Sequence, residues 1–460
     1  MEERVRLISL SLSNIKNVRQ GKITMPDSFL KDPETERAGV LGIYGQNGSG
    51  KTAVINSLYF LRLLLTGEPL SAAFSDIADV RSEKAGYEAV FRIFSSGTVI
   101  EMTYRAAFVR REKGYIIDSE ELLVNNPAEG AKGRKRTVLS FVREEDEPVL
   151  LPKKRFSELC RENKKHRVEL PVALKLCERD NRSLIFGSPV RALYEAVPQE
   201  DVPYLSLIIR TIHEFSLRDF FVILSGRSAY PGDEVRLKTE EAEENLSLKD
   251  FSLDLTGPKV YRDSERKRIL YWARGINTVL NCIIPGMQIE VRDLGRQIMD
   301  DGEEGYRIEL LSRRENIPAI PLLRESEGIV KIISVLNSLI RAFEDPSVLV
   351  CIDELDAGVY EYMLGELMDI FENSARGQLI FTSHNLRALE MLNDESVMFS
   401  TANPENRFIR MKHRKSTVNL RDVYLRGITL GGQEEVIYEE TDSLKIARAF
   451  RKAARLNEHE

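Results

Sequence analysis

Two short motifs lying about 300 residues apart constrain this chain more than anything else in it. The first, Gly45-Gln46-Asn47-Gly48-Ser49-Gly50-Lys51-Thr52, fits the spacing G-x-x-x-x-G-K-[ST]. An apolar run from Gly39 to Tyr44 precedes it. From Lys51 to Leu65, apolar residues at Val54, Ile55, Leu58, Leu61 and Leu65 recur at helical spacing, with Gly67 placed to end the helix. The pattern predicts a strand, a phosphate loop and a helix. In such a loop backbone N–H groups curl around a β-phosphate and the helix N-terminus adds its partial positive charge. Lys51 reaches the β- and γ-phosphates, and the Thr52 hydroxyl ligates magnesium.

The second motif, Val348-Leu349-Val350-Cys351-Ile352-Asp353-Glu354, is an apolar run ending in two carboxylates. It reads as a buried parallel strand delivering charge at the carboxyl edge of a sheet. Such runs are common at strand ends, so the weight comes from the pairing with the phosphate loop. In that pairing Asp353 holds Mg2+, directly or through water, and Glu354 polarises an attacking water, a role that supplies roughly 10²–10⁴-fold in rate. The expected chemistry is Mg2+-dependent hydrolysis of ATP.

After these carboxylates come Leu355-Asp356-Ala357-Gly358, a helix expected from about Val359 to Glu372, a strand from Gln378 to Thr382, and Ser383-His384-Asn385. A lone histidine at a strand end is more often structural. This order of motifs, however, resembles the ABC-type ATPases, and the resemblance implies that His384 is the switch that reads the γ-phosphate. Asp356 is grouped with the nucleotide-contacting residues, as are Gly45, Gln46, Asn47, Gly48, Ser49, Gly50, Lys51 and Thr52.

ABC-type sites are completed by the signature loop of a second subunit. The matching segment is Arg324-Glu325-Ser326-Glu327-Gly328, directly before an apolar-faced helix expected over Ile329 to Phe343. Ser326 and Gly328 match the signature serine and glycine; Glu327 stands where a second glycine is usual, and the usual glutamine is absent. Ser326 also suits an ordinary helix N-cap. The trans-acting reading implies at least a dimer, with higher oligomers open.

Composition adds exclusions. With 460 residues and 42% apolar composition the chain can bury one large or two ordinary domains. A net charge of −6 argues against nucleic acid as an obligatory, electrostatically dominated ligand, though charge can be local. Four scattered cysteines, none in a C-x-x-C pair, point to a reducing compartment and exclude a zinc hook. Cys160, His166 and Cys177 fit no standard metal spacing. The start of the chain lacks a signal-peptide pattern, and no apolar run is long enough to span a bilayer, so a soluble, cytoplasmic protein is expected.

Along the chain, Val5 to Leu12 alternate as a strand, and Ser13-Asn14-Ile15-Lys16-Asn17 resembles the Asn-Phe-Lys turn that opens RecF-like and SMC-like ATPases, with Ile15 in the phenylalanine position. Two strands are expected within Ala85 to Val109 and one near Tyr115 to Leu123, with a loop from Asn125 to Arg136. The expected fold is α/β, an ABC/SMC-like P-loop ATPase head split in sequence, with an antiparallel β accessory lobe and a helical insertion. Residues 1–138 form its N-terminal half, 139–285 a mainly helical insertion without coiled-coil heptads, 286–440 its C-terminal half with strands at 287–294 and 305–312, and 441–460 an amphipathic helix. Basic runs at 132–136, 153–155, 161–167 and 407–415 read as solvated faces first and nucleic-acid or acidic-partner contacts second.

The wording of the motifs further resembles the bacterial AAA-type/ABC-fold ATPases of phage defence: AbiL-type abortive-infection ATPases, the PARIS ATPase component and the ATPase half of OLD nucleases. This resemblance covers both head halves. It implies a regulatory ATPase acting on a separate effector, a nuclease or toxin, released by a phage-encoded trigger. Two departures stand out. No glutamine lies between Gln46 and Gln199 to link the γ-phosphate to the lobe, and no Asp-x-Asp triplet is present for an appended nuclease. A RecF/SMC-like repair ATPase that binds DNA is the alternative, and a transporter subunit, which would need a membrane partner, a third.

Overall fold

The structure is a computed structural model. It describes residues 3–29, 37–70, 72–95, 97–112, 114–125, 135–144, 147–225, 234–237, 251–255, 257–411, 419–430, 435–438 and 442–456. The motifs fall almost wholly within these; most of the 125–136 loop and part of the basic run at 407–415 lie outside the described residues.

Seven antiparallel strands form the first sheet, in the order β2-β1-β4-β5-β6-β7-β8. They are β1 (Arg4–Ile15), β2 (Val18–Thr24), β4 (Lys84–Ser95), β5 (Thr98–Arg111), β6 (Gly114–Asn125), β7 (Lys135–Glu144) and β8 (Glu147–Leu151). The second sheet holds β3 (Gly39–Tyr44), β9 (Phe220–Ile223), β16 (Leu349–Ile352), β17 (Gln378–Thr382), β18 (Val397–Ser400) and β19 (Phe408–Ile409). Its order is β19-β18-β3-β17-β16-β9, parallel except for β19.

Strands buried on both faces are lined by apolar residues, and β3, β16 and the middle of β17 carry them. Successive side chains then serve two cores. Leu41, Ile43, Leu349, Cys351 and Ile380 meet α1 (Lys51–Thr66), whereas Val40, Tyr44, Val350, Ile352, Leu379 and Phe381 face the opposite core with α7 (Glu327–Glu344) and α8 (Glu361–Ser374). Helix α1 ends as its sequence requires, with Gly67 left-handed at φ 72° and its N–H returned to Leu63 and Leu64.

The same core that buries α1 continues into the antiparallel sheet and into α3 (His166–Arg179), α4 (Ser188–Glu195) and α5 (Leu205–Arg218), with short α2 (Arg155–Leu159) beside β8. The two sheets are stitched by a buried polar junction. Gln378 at the start of β17 accepts the Leu7 N–H and donates to the Leu7 carbonyl, both at 2.8 Å, in the manner of an extra strand residue. Arg6 donates to Asp27 at 2.8 Å and to the Arg376 and Arg37 carbonyls. A buried arginine is tolerated only with such partners.

A third sheet places β14 (Glu304–Arg314) between β12 (Lys259–Tyr261) and β13 (Gln288–Ile298), with β15 (Ile317–Pro321) also on β14. It packs on α6 (Asp263–Ile283) and on Ile332, Ile333 and Leu336 of α7. A two-stranded hairpin, β10 (Glu234–Leu237) with β11 (Phe251–Asp254), lies against α6 and α7. Helices α9 (Ala388–Met391) and α10 (Leu420–Leu430) close the side of the second core; α11 (Ser443–Leu456) stands exposed, its Leu444, Ile446 and Phe450 uncovered.

The segment expected to be a mainly helical insertion over 139–285 is therefore mixed. Strands β7 and β8 extend the accessory sheet, β9 joins the central sheet beside the acidic strand, and helices occupy 155–218 and 263–283 only in part. Four-residue β9, Phe-Phe-Val-Ile, carries too short an apolar run to be told from the end of α5 by periodicity. The strands at 287–294 and 305–312 exist as β13 and β14, but they build the separate sheet rather than the central one.

Candidate active site

The phosphate loop leaves β3 and enters α1 at the carboxyl edge of the central sheet. Gly50 occupies the N-cap with φ 95°, a left-handed geometry that suits glycine. Lys51 is buried and folds back over the loop, donating to the Gly45 carbonyl at 2.8 Å and the Gln46 carbonyl at 2.9 Å. The Ser49 hydroxyl donates to the Gln46 carbonyl at 2.6 Å and touches the Ser400 hydroxyl, which itself donates to the Tyr44 carbonyl at 3.1 Å. From the other side Asn17, in the turn between β1 and β2, donates to the Gly48 carbonyl.

One strand, β17, separates β3 from the acidic β16, so the residues following β16 and β17 face the loop together. Thr52 Oγ1 donates to Asp353 Oδ1 at 3.4 Å. Thr382 Oγ1 donates to the same carboxylate oxygen at 2.6 Å and accepts the Glu354 N–H at 2.7 Å. Asp353 is buried, whereas Glu354 is exposed, with φ 50°. Asp356 Oδ2 accepts the His384 N–H at 3.0 Å, and its Oδ1 is buried without a protein partner among the described residues.

Charges follow from this packing. Burial raises Asp353 above the ordinary carboxylate range, and Glu354 adds to the rise, while hydrogen bonds from Thr382 and Thr52 oppose it. Burial lowers Lys51 to about 8 against the pull of Asp353, Glu354 and Asp356. His384, although its ring is accessible, is held below the ordinary imidazole range by partial desolvation first and then by Lys51, against Asp356. It is thus neutral near pH 7, with one ring nitrogen free to donate and one to accept.

Of the residues singled out in the sequence, the structure gathers Gly45 to Thr52, Asp353, Glu354, Asp356 and His384 at one sheet edge. Ser326 and Gly328 make no contact with the phosphate loop among those described: Ser326 is exposed at the N-cap of α7, where it accepts the Ile329 N–H, and Gly328 packs against Gly358 in the turn after Glu354. Cys160 and Cys177 are buried free thiols and His166 bonds the Leu159 carbonyl; the described residues contain no cluster of three metal-ligating side chains of the His, Cys, Asp and Glu type.

Sequence reasoning passed over Asn17, Ser225, Lys331, Thr382 and Ser400. Lys331 carried a signal, being the one lysine of α7 and interrupting an apolar run in the first turns. Thr382 is a strand's last residue, visible only once β17 is known to lie beside β16. Ser225 follows β9, a strand the pattern did not disclose.

A magnesium ion suits this edge. Thr52 Oγ1 and Asp353 Oδ1 are hard oxygen donors side by side at the N-terminus of α1, leaving the remaining positions of an octahedral shell to water and phosphate oxygens.

Residues 186–390 match the family described as "AAA domain, putative AbiEii toxin, Type IV TA system", a span that includes the acidic turn and His384 but not the phosphate loop. The chain is 34% identical over 119 residues to the DNA replication and repair protein RecF of Chlorobium phaeovibrioides (strain DSM 265 / 1930), a match covering 26% of this chain and 28% of the relative. The chain thus spans little more than a quarter of that curated relative. Among solved structures it is similar to the Smc head domain with an extended coiled coil bound to the C-terminal domain of ScpA, derived from Pyrococcus furiosus (13% identity, TM-score 0.40, 89% of this chain and 96% of that one). It is also similar to the SMC head domain from Thermotoga maritima (15% identity, TM-score 0.34, 89% and 100%). With the phosphate loop and its carboxylates, the family match and the RecF relative support a P-loop ATPase of the ABC/AAA group. No helix among the described residues is long and apolar enough to cross a membrane.

Proposed function

We propose that this chain hydrolyses ATP and that its nucleotide state sets assembly of its own heads, through which it controls a separate effector, a nuclease or toxin, in an abortive-infection type of antiphage defence. The observation that carries the ATPase reading is the meeting of Lys51, Thr52, Asp353, Glu354 and His384 at one sheet edge. The family match supports the defence setting.

Lys51, whose ammonium lies over the loop against the Gly45 and Gln46 carbonyls, binds the β- and γ-phosphates. Thr52 and Asp353 hold Mg2+, whose charge offsets that of the phosphates. Thr382 keeps Asp353 pointed at that position and fixes the Glu354 N–H. Glu354 orients the attacking water and accepts its proton. Neutral His384 donates to the γ-phosphate, its backbone held by Asp356. Ser326 and Gly328 of a second copy close the site in trans, so the γ-phosphate favours the assembled state and its loss releases it.

The test is a tagged purification from the native host with flanking genes intact, comparing wild type with Glu354→Gln. Co-purification of a small nuclease or toxin, retained or enriched by the variant, supports the regulator reading. Recovery of DNA with repair factors favours the second reading, a RecF/SMC-like ATPase that binds DNA, which the RecF relative supports.

A further inference from the structure

The turn bearing Glu354 is held from a direction that phosphate chemistry does not require. A non-glycine residue at φ 50° is in a strained left-handed conformation that persists only where its surroundings hold it. Here both main-chain polar groups of Glu354 are taken: Thr382 accepts the N–H, and the Lys331 ammonium donates to the C=O. The same ammonium donates to the Asp353 carbonyl at 3.0 Å and to Ser225 Oγ at 3.3 Å. Ser225 Oγ donates in turn to the Asp353 carbonyl at 2.8 Å. A lysine has three donors, and here they find three neutral acceptors from the acidic turn and the end of β9. Charge-assisted bonds of this kind are about twice as strong as neutral ones.

We propose that Lys331 is a positioning residue: with Ser225 it locks the left-handed turn at Glu354, so that the carboxylate stays aimed at the attacking water. The inference rests on the assignment of Glu354 as the water-polarising group. Lys331 reaches no atom of the phosphate loop among the contacts described above, so its removal should spare nucleotide affinity. It acts through the main-chain carbonyls of Asp353 and Glu354.

The test compares wild type with Lys331→Met, Lys331→Arg and Ser225→Ala in two assays: ATP turnover with separate kcat and nucleotide Kd, and hydrogen exchange of the peptide covering residues 349–358. Lys331→Met is expected to lower kcat by about 10²-fold, the scale of a small misplacement of a catalytic group, with Kd unchanged. Exchange at Glu354 and Leu355 should quicken, and Lys331→Arg should recover part of both losses. Unchanged exchange in Lys331→Met, or quickened exchange with kcat unchanged, overturns the proposal. Should Lys331→Met fail to fold, Ser225→Ala is read by the same criteria. A wild type without ATP turnover would sink the hydrolysis reading, and the exchange comparison alone would then decide whether Lys331 holds the turn.

Discussion

Gly328 and Gly358 lie backbone to backbone: a Cβ on Gly328 would come within 2.5 Å of the Gly358 Cα, and one on Gly358 within 2.1 Å of the Gly328 Cα. The contact joins the first turn of α7 to the turn that follows Glu354. Gly328 is thus required inside its own chain, whatever it does for a second copy. Gly328→Ala forces backbone apart, an overpacking that typically costs about 1–3 kcal/mol. A lower melting temperature of the nucleotide-free protein checks this, and unchanged melting contradicts the contact.

Thr382→Val keeps the shape of the side chain but removes both hydrogen bonds that its hydroxyl makes to Asp353 and Glu354. Leaving the buried Asp353 carboxylate without that donor costs about 1–3 kcal/mol. ATP turnover should fall more than nucleotide affinity, which a kcat and Kd comparison reads directly.

Nucleotide binding should depend on pH through Lys51. Its folded-state value of about 8 means the nucleotide-free lysine is charged at pH 7 and loses its proton as pH rises through 8. Phosphates favour the charged form, so affinity is flat below that value and declines above it. Fluorescent-nucleotide titrations from pH 6.5 to 9.5 check this, and Lys51→Ala should bind weakly with the decline abolished.

At the junction of the two sheets, Arg6→Ala leaves the buried Asp27 carboxylate without its charged partner, with the Gln378 amide still donating to it. Breaking a buried pair by removing one member costs about 3–5 kcal/mol. Chemical denaturation should show a loss of that order, far above what an exposed pair such as Arg19–Glu405 contributes.

The phosphate loop, the acidic strand and the order of elements through His384 were legible because each couples a residue pattern to a chemical need: glycine where the chain turns left-handed, apolar residues where a strand is covered on both faces, carboxylates at its end. Strand β9 was not, since four apolar residues after a helix look like more helix. With β9 hidden, Ser225 was hidden too. That β13 and β14 build a separate sheet was not legible, because alternation announces a strand without naming its neighbour. Lys331 and Thr382 owe their importance to contacts across 22 and 29 residues of sequence, which no local pattern encodes.

In the proposed mechanism Glu354 drives hydrolysis at this sheet edge, and hydrolysis disassembles the heads. The most direct measurement is light scattering of wild type and Glu354→Gln after mixing with ATP and Mg2+, with phosphate release followed in the same sample. Wild type is expected to release phosphate and return to its starting mass, whereas Glu354→Gln keeps ATP and stays assembled. Phosphate release by Glu354→Gln at the wild-type rate would contradict it.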